Sequence, residues 1–245
     1  MSEVYFISDA HLGIESPRKE ERKKRALLSF FEEVANKGNA LYILGDLYDF
    51  WFEYRSGVSS VDQTIADALS HLASKGIDVL YVAGNHDYWL GGFWEKRGVR
   101  ISRDAMIADI QGKTVLMAHG DGLGAVEPAY LLLKWLLRNK TSIAIYSQLG
   151  RPVGNGLAVM VSKLSRAKSN RSVPRMTEGL LRYAMTKFKE GCDIVVCGHI
   201  HNPTLIKEEG RVFCLLGDWM EHFTYGKMKN GELELLRWQA KKRFT

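Results

Sequence analysis

Five of the seven histidines in this 245-residue chain stand immediately after short apolar runs, in company with Asp and Asn. Val4-Tyr5-Phe6-Ile7 leads to Asp9 and His11, Leu41-Tyr42-Ile43-Leu44 to Gly45-Asp46, and Val79-Leu80-Tyr81-Val82-Ala83 to Gly84-Asn85-His86-Asp87. Val115-Leu116-Met117-Ala118 leads in turn to His119-Gly120-Asp121, and Ile194-Val195-Val196-Cys197 to Gly198-His199 and His201. Taken singly, each motif also fits a turn, because Asp and Asn readily bond their own backbone. Their recurrence after every expected central strand points instead to one shared site. Carboxylate, imidazole and amide oxygen without thiolate suit hard to borderline divalent ions such as Mn²⁺, Fe²⁺, Zn²⁺ or Co²⁺. The candidate ligands are Asp9, His11, Asp46, Asn85, His119, His199 and His201. They outnumber the needs of one tetrahedral ion and match two ions about 3.5 to 4 Å apart that share a carboxylate.

The elements that must hold these side chains are legible from periodicity. Continuous apolar runs of four or five residues belong to strands covered on both faces. In open α/β sheets, ligands bind beyond the carboxyl ends of such strands. Between Lys19 and Lys37 the residues Leu27, Leu28, Phe31, Val34 and Ala35 recur at three- and four-residue spacing, which predicts an amphipathic helix. The charged run Arg18 to Arg25 is then the wet start of that helix. Asp62 to Lys75 and Met176 to Glu190 are expected as further helices, and Lys113 to Ala118, Thr204 to Lys207 and Glu232 to Arg237 as strands. Gly45, Gly84, Gly120 and Gly198 sit where strands must exit sharply past other side chains.

Composition adds limits. The apolar share of 46% and charged share of 25% are those of a folded globular protein, and no apolar run is long enough to span a bilayer. The opening Met1-Ser2-Glu3-Val4-Tyr5-Phe6 runs into a strand without the features of a secretory signal, so a cytoplasmic address is expected. Cys192, Cys197 and Cys214, odd in number and set in or beside apolar runs, are expected to be buried free thiols. The net charge of +6 is concentrated: nine basic residues and no acidic ones lie between Pro128 and Thr177, leaving the remainder at −3. In that segment Tyr130 to Arg138 and Leu157 to Leu164 mix aliphatic with basic residues. Single nucleic-acid strands prefer stacking aromatics among the basic residues, so no nucleic-acid partner is expected. Trp, Leu and Lys or Arg on one surface favour an anionic lipid interface.

The ordered set Asp9-Ala10-His11, Gly45-Asp46-Leu47-Tyr48-Asp49, Gly84-Asn85-His86-Asp87, His119-Gly120-Asp121 and Gly198-His199-Ile200-His201 resembles the five motifs of the calcineurin-like metallophosphoesterases. The resemblance implies an α/β fold, a four-layer αββα sandwich of two mixed sheets flanked by helices. It also implies that Asp9, His11, Asp46 and His201 hold one ion while Asp46, Asn85, His119 and His199 hold the other. His86 would then stabilise phosphoryl charge or protonate the leaving group, with Asp49 hydrogen-bonded to its ring. The stretch Tyr42 to Trp51, the segment after Asp121 and the ending Gly217-Asp218-Trp219 look like the UDP-2,3-diacylglucosamine pyrophosphatases of lipid A biosynthesis.

That narrower resemblance implies a manganese-dependent hydrolase giving UMP and 2,3-diacylglucosamine 1-phosphate, with the nucleotide-linked glycolipid as substrate. It implies a peripheral enzyme on the cytoplasmic face of the inner membrane. The core would comprise residues 1–124 and 174–245, with residues 125–173 as a helical, basic and apolar cap over the active site. Arg166, Asn170 and Arg175 are the candidate substrate contacts in and beside that cap. One position departs from the best-known members, which carry Arg where this chain has His86, the residue general to metallophosphoesterases. Another nucleotide or nucleic-acid phosphodiester substrate, for which the net positive charge speaks, and a non-catalytic binding module on the same fold stay open as alternatives.

Overall fold

The computed structural model describes residues 2–54, 57–58, 63–124, 131–132, 134–135, 138–139, 141–143 and 173–239. Chain order gives β1 (Glu3–Ile7), α1 (Pro17–Lys37), β2 (Gly38–Leu44), the short hairpin β3 (Glu53–Tyr54) and β4 (Gly57–Val58), α2 (Gln63–Ser74), β5 (Asp78–Val82) and α3 (Gly92–Glu95). There follow β6 (Arg100–Ser102), β7 (Met106–Ile110), β8 (Lys113–Ala118), helix α4 (Val173–Lys189), β9 (Ile194–Cys197), β10 (Thr204–Glu208), β11 (Arg211–Leu215), β12 (Thr224–Lys229) and β13 (Glu232–Arg237).

These strands form two mixed sheets. The first has the order β13-β12-β1-β2-β5-β6 and the second β10-β11-β9-β8-β7. Strands β1, β2, β5 and β6 are parallel, as are β8, β9 and β11, and antiparallel strands close the remaining edges. The alternation along β1 shows why two layers of strands are needed. Val4 and Phe6 point into an apolar layer shared with Val115, Met117, Ile194 and Val196 of the second sheet. Tyr5 and Ile7 point the other way, toward Leu27, Phe30 and Val34 of α1 and Leu69 of α2. On the far side of the second sheet, Leu116, Val195 and Phe213 pack against Leu180 and Ala184 of α4. The result is the expected helix, sheet, sheet, helix sandwich, with three apolar layers between four structural ones.

The helices expected at Lys19, Asp62 and Met176 form with ends shifted by at most three residues. Pro17 supplies the fixed φ of a first helical turn, which carries α1 two residues upstream of the expected start. Strands β11 and β12, which sequence periodicity did not single out, lie inside the two sheets, joining β10 to β9 and β13 to β1. The charged run at the head of α1 is not uniformly wet, because Lys23 is only 1% exposed. All three cysteines are buried free thiols. Burial raises the Cys197 thiol to about 12. Among the described residues no helix is long and apolar enough to cross a membrane. Most of the expected cap, residues 125–173, lies outside the described residues.

Candidate metal centre

Both sheets deliver their polar residues to one rim, and backbone hydrogen bonds lock the loops together there. Asp9 N–H donates to the Gly45 carbonyl at 3.1 Å, His11 N–H to the Asp46 carbonyl at 2.9 Å, and Gly198 N–H to the His119 carbonyl at 2.9 Å. Two further bonds cross from one sheet to the other. His199 N–H donates to Asp9 Oδ2 at 2.9 Å, and His119 Nδ1–H donates to the Leu44 carbonyl at 2.8 Å.

The loops are tight enough to force unusual backbone. Asp9, His11, Asp46 and His199 have φ of 54°, 43°, 53° and 67°, in the left-handed region. Non-glycine residues there cost on the order of 1 to 3 kcal/mol each and persist where surroundings over-determine them. Asn85, the ligand best suited by residue type to that conformation, does not adopt it. The glycine beside it is explained by space: a Cβ on Gly84 would lie 2.0 Å from Asp46 Oδ1. At Gly45, with φ of 84°, an added Cβ would lie 2.4 Å from His119 Nδ1.

Each buried carboxylate presents one oxygen to the backbone and one to the imidazoles. Asp9 Oδ2 is taken by the His199 N–H, while Oδ1 stands 3.7 Å from His11 Nε2 and 3.4 Å from His201 Nε2. Asp46 Oδ1 accepts the His86 N–H at 2.9 Å, while Oδ2 stands 3.7 Å from His11 Nε2 and 3.3 Å from His119 Nε2. Asn85 Oδ1 is 3.1 Å from His119 Nε2. Three donor groups result, Asp9 with His11 and His201, His11 with Asp46 and His86, and Asp46 with His119 and His199, each within 4.8 Å. Asp46 therefore lies between the two expected ligand sets.

Buried polar atoms without partners test whether cations belong there. Asp9 Oδ1 and both ring nitrogens of His11 are buried and lack a hydrogen-bond partner, a situation that costs about 1 to 3 kcal/mol per group. His119 has its Nδ1–H fixed on a carbonyl, the arrangement by which metal-ligating imidazoles orient the other nitrogen toward the ion. Oxygen and imidazole donors in two adjoining sets fit divalent cations.

Electrostatics agree. Burial pushes the Asp9 and Asp46 carboxyls upward, yet the histidines around them hold Asp9 well below, and Asp46 below, the ordinary carboxylate range. Burial pulls His11 and His119 down, but the surrounding carboxylates raise both to about 10. His199 is lowered to about 4 by burial and by the charge on His119. Without cations, the protons on His11 and His119 balance the carboxylates.

Asp49 differs in detail from its expected role. Its carbonyl, not its carboxylate, accepts the His86 Nδ1–H at 2.8 Å. The carboxylate Oδ1 sits 3.5 Å from that nitrogen and 3.4 Å from His11 Nδ1, between the two rings. Of the candidate substrate contacts, Arg166 and Asn170 lie outside the described residues, and Arg175 is exposed on the first turn of α4. His71 is exposed on α2, and His222 donates from Nδ1 to Asp218 Oδ2 at 2.7 Å.

Residue typing missed several supports. Lys23 Nζ donates to the His11 carbonyl at 2.8 Å and pairs with Glu20 at 2.7 Å, fixing the back of the first ligand loop. Its place four residues before Leu27, on the buried stripe of α1, was the available signal. Asp87 accepts hydrogen bonds from Gly84 N–H at 2.7 Å, Leu47 N–H at 2.8 Å and the Tyr81 hydroxyl. Burial and the nearby Asp46 charge raise it to about 6. Trp219 N–H donates to the Asp9 carbonyl at 3.1 Å, which gives the Gly217-Asp218-Trp219 ending a role behind the first ligand.

Comparison with known proteins agrees with this geometry. Residues 2–203 match the family described as calcineurin-like phosphoesterase. Proteins named UDP-2,3-diacylglucosamine hydrolase are similar over most of both chains. The one from Porphyromonas gingivalis is 29% identical over 91% of this chain and 93% of its own length. The one from Pseudomonas paraeruginosa is 32% identical over 88% and 90%, and that from Aeromonas salmonicida 30% identical over 94% and 91%. The chain belongs to the calcineurin-like phosphoesterases and is a metal-dependent phosphoester hydrolase.

Proposed function

We propose that this protein hydrolyses the pyrophosphate bond of UDP-2,3-diacylglucosamine, releasing UMP and 2,3-diacylglucosamine 1-phosphate. The observation that carries the reading is the pair of donor sets meeting at Asp46, in a chain about 30% identical over most of its length to proteins named for that substrate. Asp9, His11, Asp46 and His201 would hold one ion, and Asp46, Asn85, His119 and His199 the other. Two divalent ions held there, manganese in our reading, would supply Lewis acidity toward phosphoryl oxygens and lower the pKa of water.

The chain's own groups do the rest. His86, whose Nδ1–H is engaged by the Asp49 carbonyl, offers Nε2 to a phosphoryl oxygen or to the leaving oxygen. The Asp49 carboxylate stands beside Nδ1, with Oδ1 3.5 Å away. Asp9 and Asp46, pinned by backbone N–H groups, keep their free oxygens fixed before substrate arrives, so little reorganisation accompanies binding. Arg166, Asn170 and Arg175 remain our candidates for substrate contacts, in and beside a cap over residues 125–173.

The described part of that segment supports a lipid substrate. Leu131, Leu132 and Trp135 are helical and 46%, 66% and 63% exposed, an outward apolar display beside a basic face. Such a surface suits acyl chains or an anionic leaflet, so we place the enzyme in the cytoplasm, peripherally on the inner membrane.

The test is incubation with Mn²⁺ and UDP-2,3-diacylglucosamine in oxygen-18 water, with products read by mass spectrometry. Label in UMP is expected, because water attacks the α-phosphorus. Absence of UMP while bis(p-nitrophenyl) phosphate is hydrolysed would give the site to another phosphodiester. A protein that binds no metal and cleaves neither compound would be a binding module.

A further inference from the structure

Two residues beyond His119, Asp121 is buried at 5% exposure and meets two cations from the following segment. Its carbonyl accepts Lys134 Nζ at 2.6 Å, and its Oδ2 lies 2.9 Å from both Lys134 Nζ and Arg138 Nη2. The Arg138 guanidinium also lies over the Tyr88 ring, 4.1 Å from its centroid, three residues after Asn85. Lys134 crosses Gly122, where a Cβ would fall 2.7 Å from Nζ. Lys134 and Arg138 are both helical and four residues apart, so they share one face. Among the described residues of the same stretch, Leu131, Leu132 and Trp135 are exposed.

Lys134 and Arg138 thus turn toward the metal-binding loops. Charge-assisted hydrogen bonds to a carboxylate withdrawn from water, together with guanidinium stacking on an aromatic ring, hold them there. We propose that Asp121, Lys134, Arg138 and Tyr88 form a clasp that anchors the base of the cap to the metal-binding loops. The clasp thereby fixes the base of the cap while Leu131, Leu132 and Trp135 stay exposed. These four are positioning residues that set lipid specificity without touching the reacting phosphorus. The specificity half of this inference rests on the proposed substrate; the clasp itself does not.

Two readouts separate them. Hydrogen exchange followed by mass spectrometry, on the metal-loaded full chain, should show faster exchange of the peptide spanning residues 131–143 in Asp121→Asn and Arg138→Gln. Exchange in β8 should be unchanged. Kinetically, Arg138→Gln and Lys134→Met should raise KM for UDP-2,3-diacylglucosamine about tenfold, the equivalent of one charged hydrogen bond. Their kcat/KM for bis(p-nitrophenyl) phosphate should stay within about twofold, as for a substitution outside the reacting site. Arg138→Lys, which keeps the charge and can still reach the carboxylate, should recover most of the lipid KM. Unchanged exchange in both variants would overturn the clasp. Faster exchange with equal losses on both substrates would overturn the specificity role, assigning the network to loop integrity alone. A wild-type enzyme inert on the lipid would sink the substrate reading and that specificity role together, while exchange still decides the clasp.

Discussion

Asp46 shows how one side chain is shared between two tasks. One oxygen is fixed by the His86 N–H, and the other stands between His11 and His119. Replacing it by Asn preserves shape while removing the charge. We expect Asp46→Asn to lower bound metal from two ions to one or none, measured by plasma mass spectrometry, and to abolish hydrolysis even at high metal. His86→Asn should behave differently, keeping both ions while kcat falls by about 10² to 10⁴, the range for loss of a general acid or electrostatic partner. Protons give a third prediction. His11 and His119 are raised to about 10 from an ordinary 6.5, so at pH 7 both are protonated in the metal-free protein. In that state they stabilise the fold fully below pH 6.5, and the contribution is lost as pH rises through about 10. Metal binding has the opposite dependence, because an ion must displace these protons. Calorimetric titration in buffers of different ionisation enthalpy should show net proton release at pH 7 and affinity that climbs with pH.

At the scale of elements, the ligand loops are held from behind by helix α1. Phe30 is fully buried, with ring centroids 5.7 Å from Tyr5, 5.0 Å from Trp219, 5.0 Å from Tyr225 and 5.3 Å from Trp238. It thus joins the helix to β1, to β12 and to the Trp219 segment that bonds Asp9. Truncation leaves a cavity among rings that cannot collapse easily, so Phe30→Ala should cost about 3 to 5 kcal/mol in denaturant unfolding. The same helix illustrates where sequence reading ran short. Its amphipathic stripe was plain from Leu27, Phe31 and Val34. That Lys23 turns inward was not, because a charged residue on a buried stripe is tolerated only when a carbonyl and a carboxylate wait for it. Those partners, His11 and Glu20, are brought by the loop and helix geometry. Strands β11 and β12 were likewise unmarked, since strand character depends on neighbours as much as on residue type.

For the whole molecule, the metal centre is also a fastener. Donors from β1, β2, β5, β8 and β9 span both sheets, so cations bound among them oppose separation of the two halves. A ligand bound only by the folded state stabilises it by about 4 kcal/mol at a thousandfold excess over Kd. Chelator-stripped protein should therefore unfold at lower temperature than protein with excess Mn²⁺, by calorimetry, and the difference should vanish in Asp46→Asn.

The sequence by itself marked the five central strands, the three long helices and the candidate ligands. Apolar runs ending in Asp, Asn or His declare buried strands and polar loops, because burial on two faces leaves no other use for such runs. It did not determine which sheet each strand joins, or that Asp49 engages His86 through its carbonyl. Nor did it show that Lys134 and Arg138 turn inward to Asp121. Those outcomes depend on groups distant in the chain meeting at hydrogen-bond distance, and only the packed tertiary structure fixes such separations.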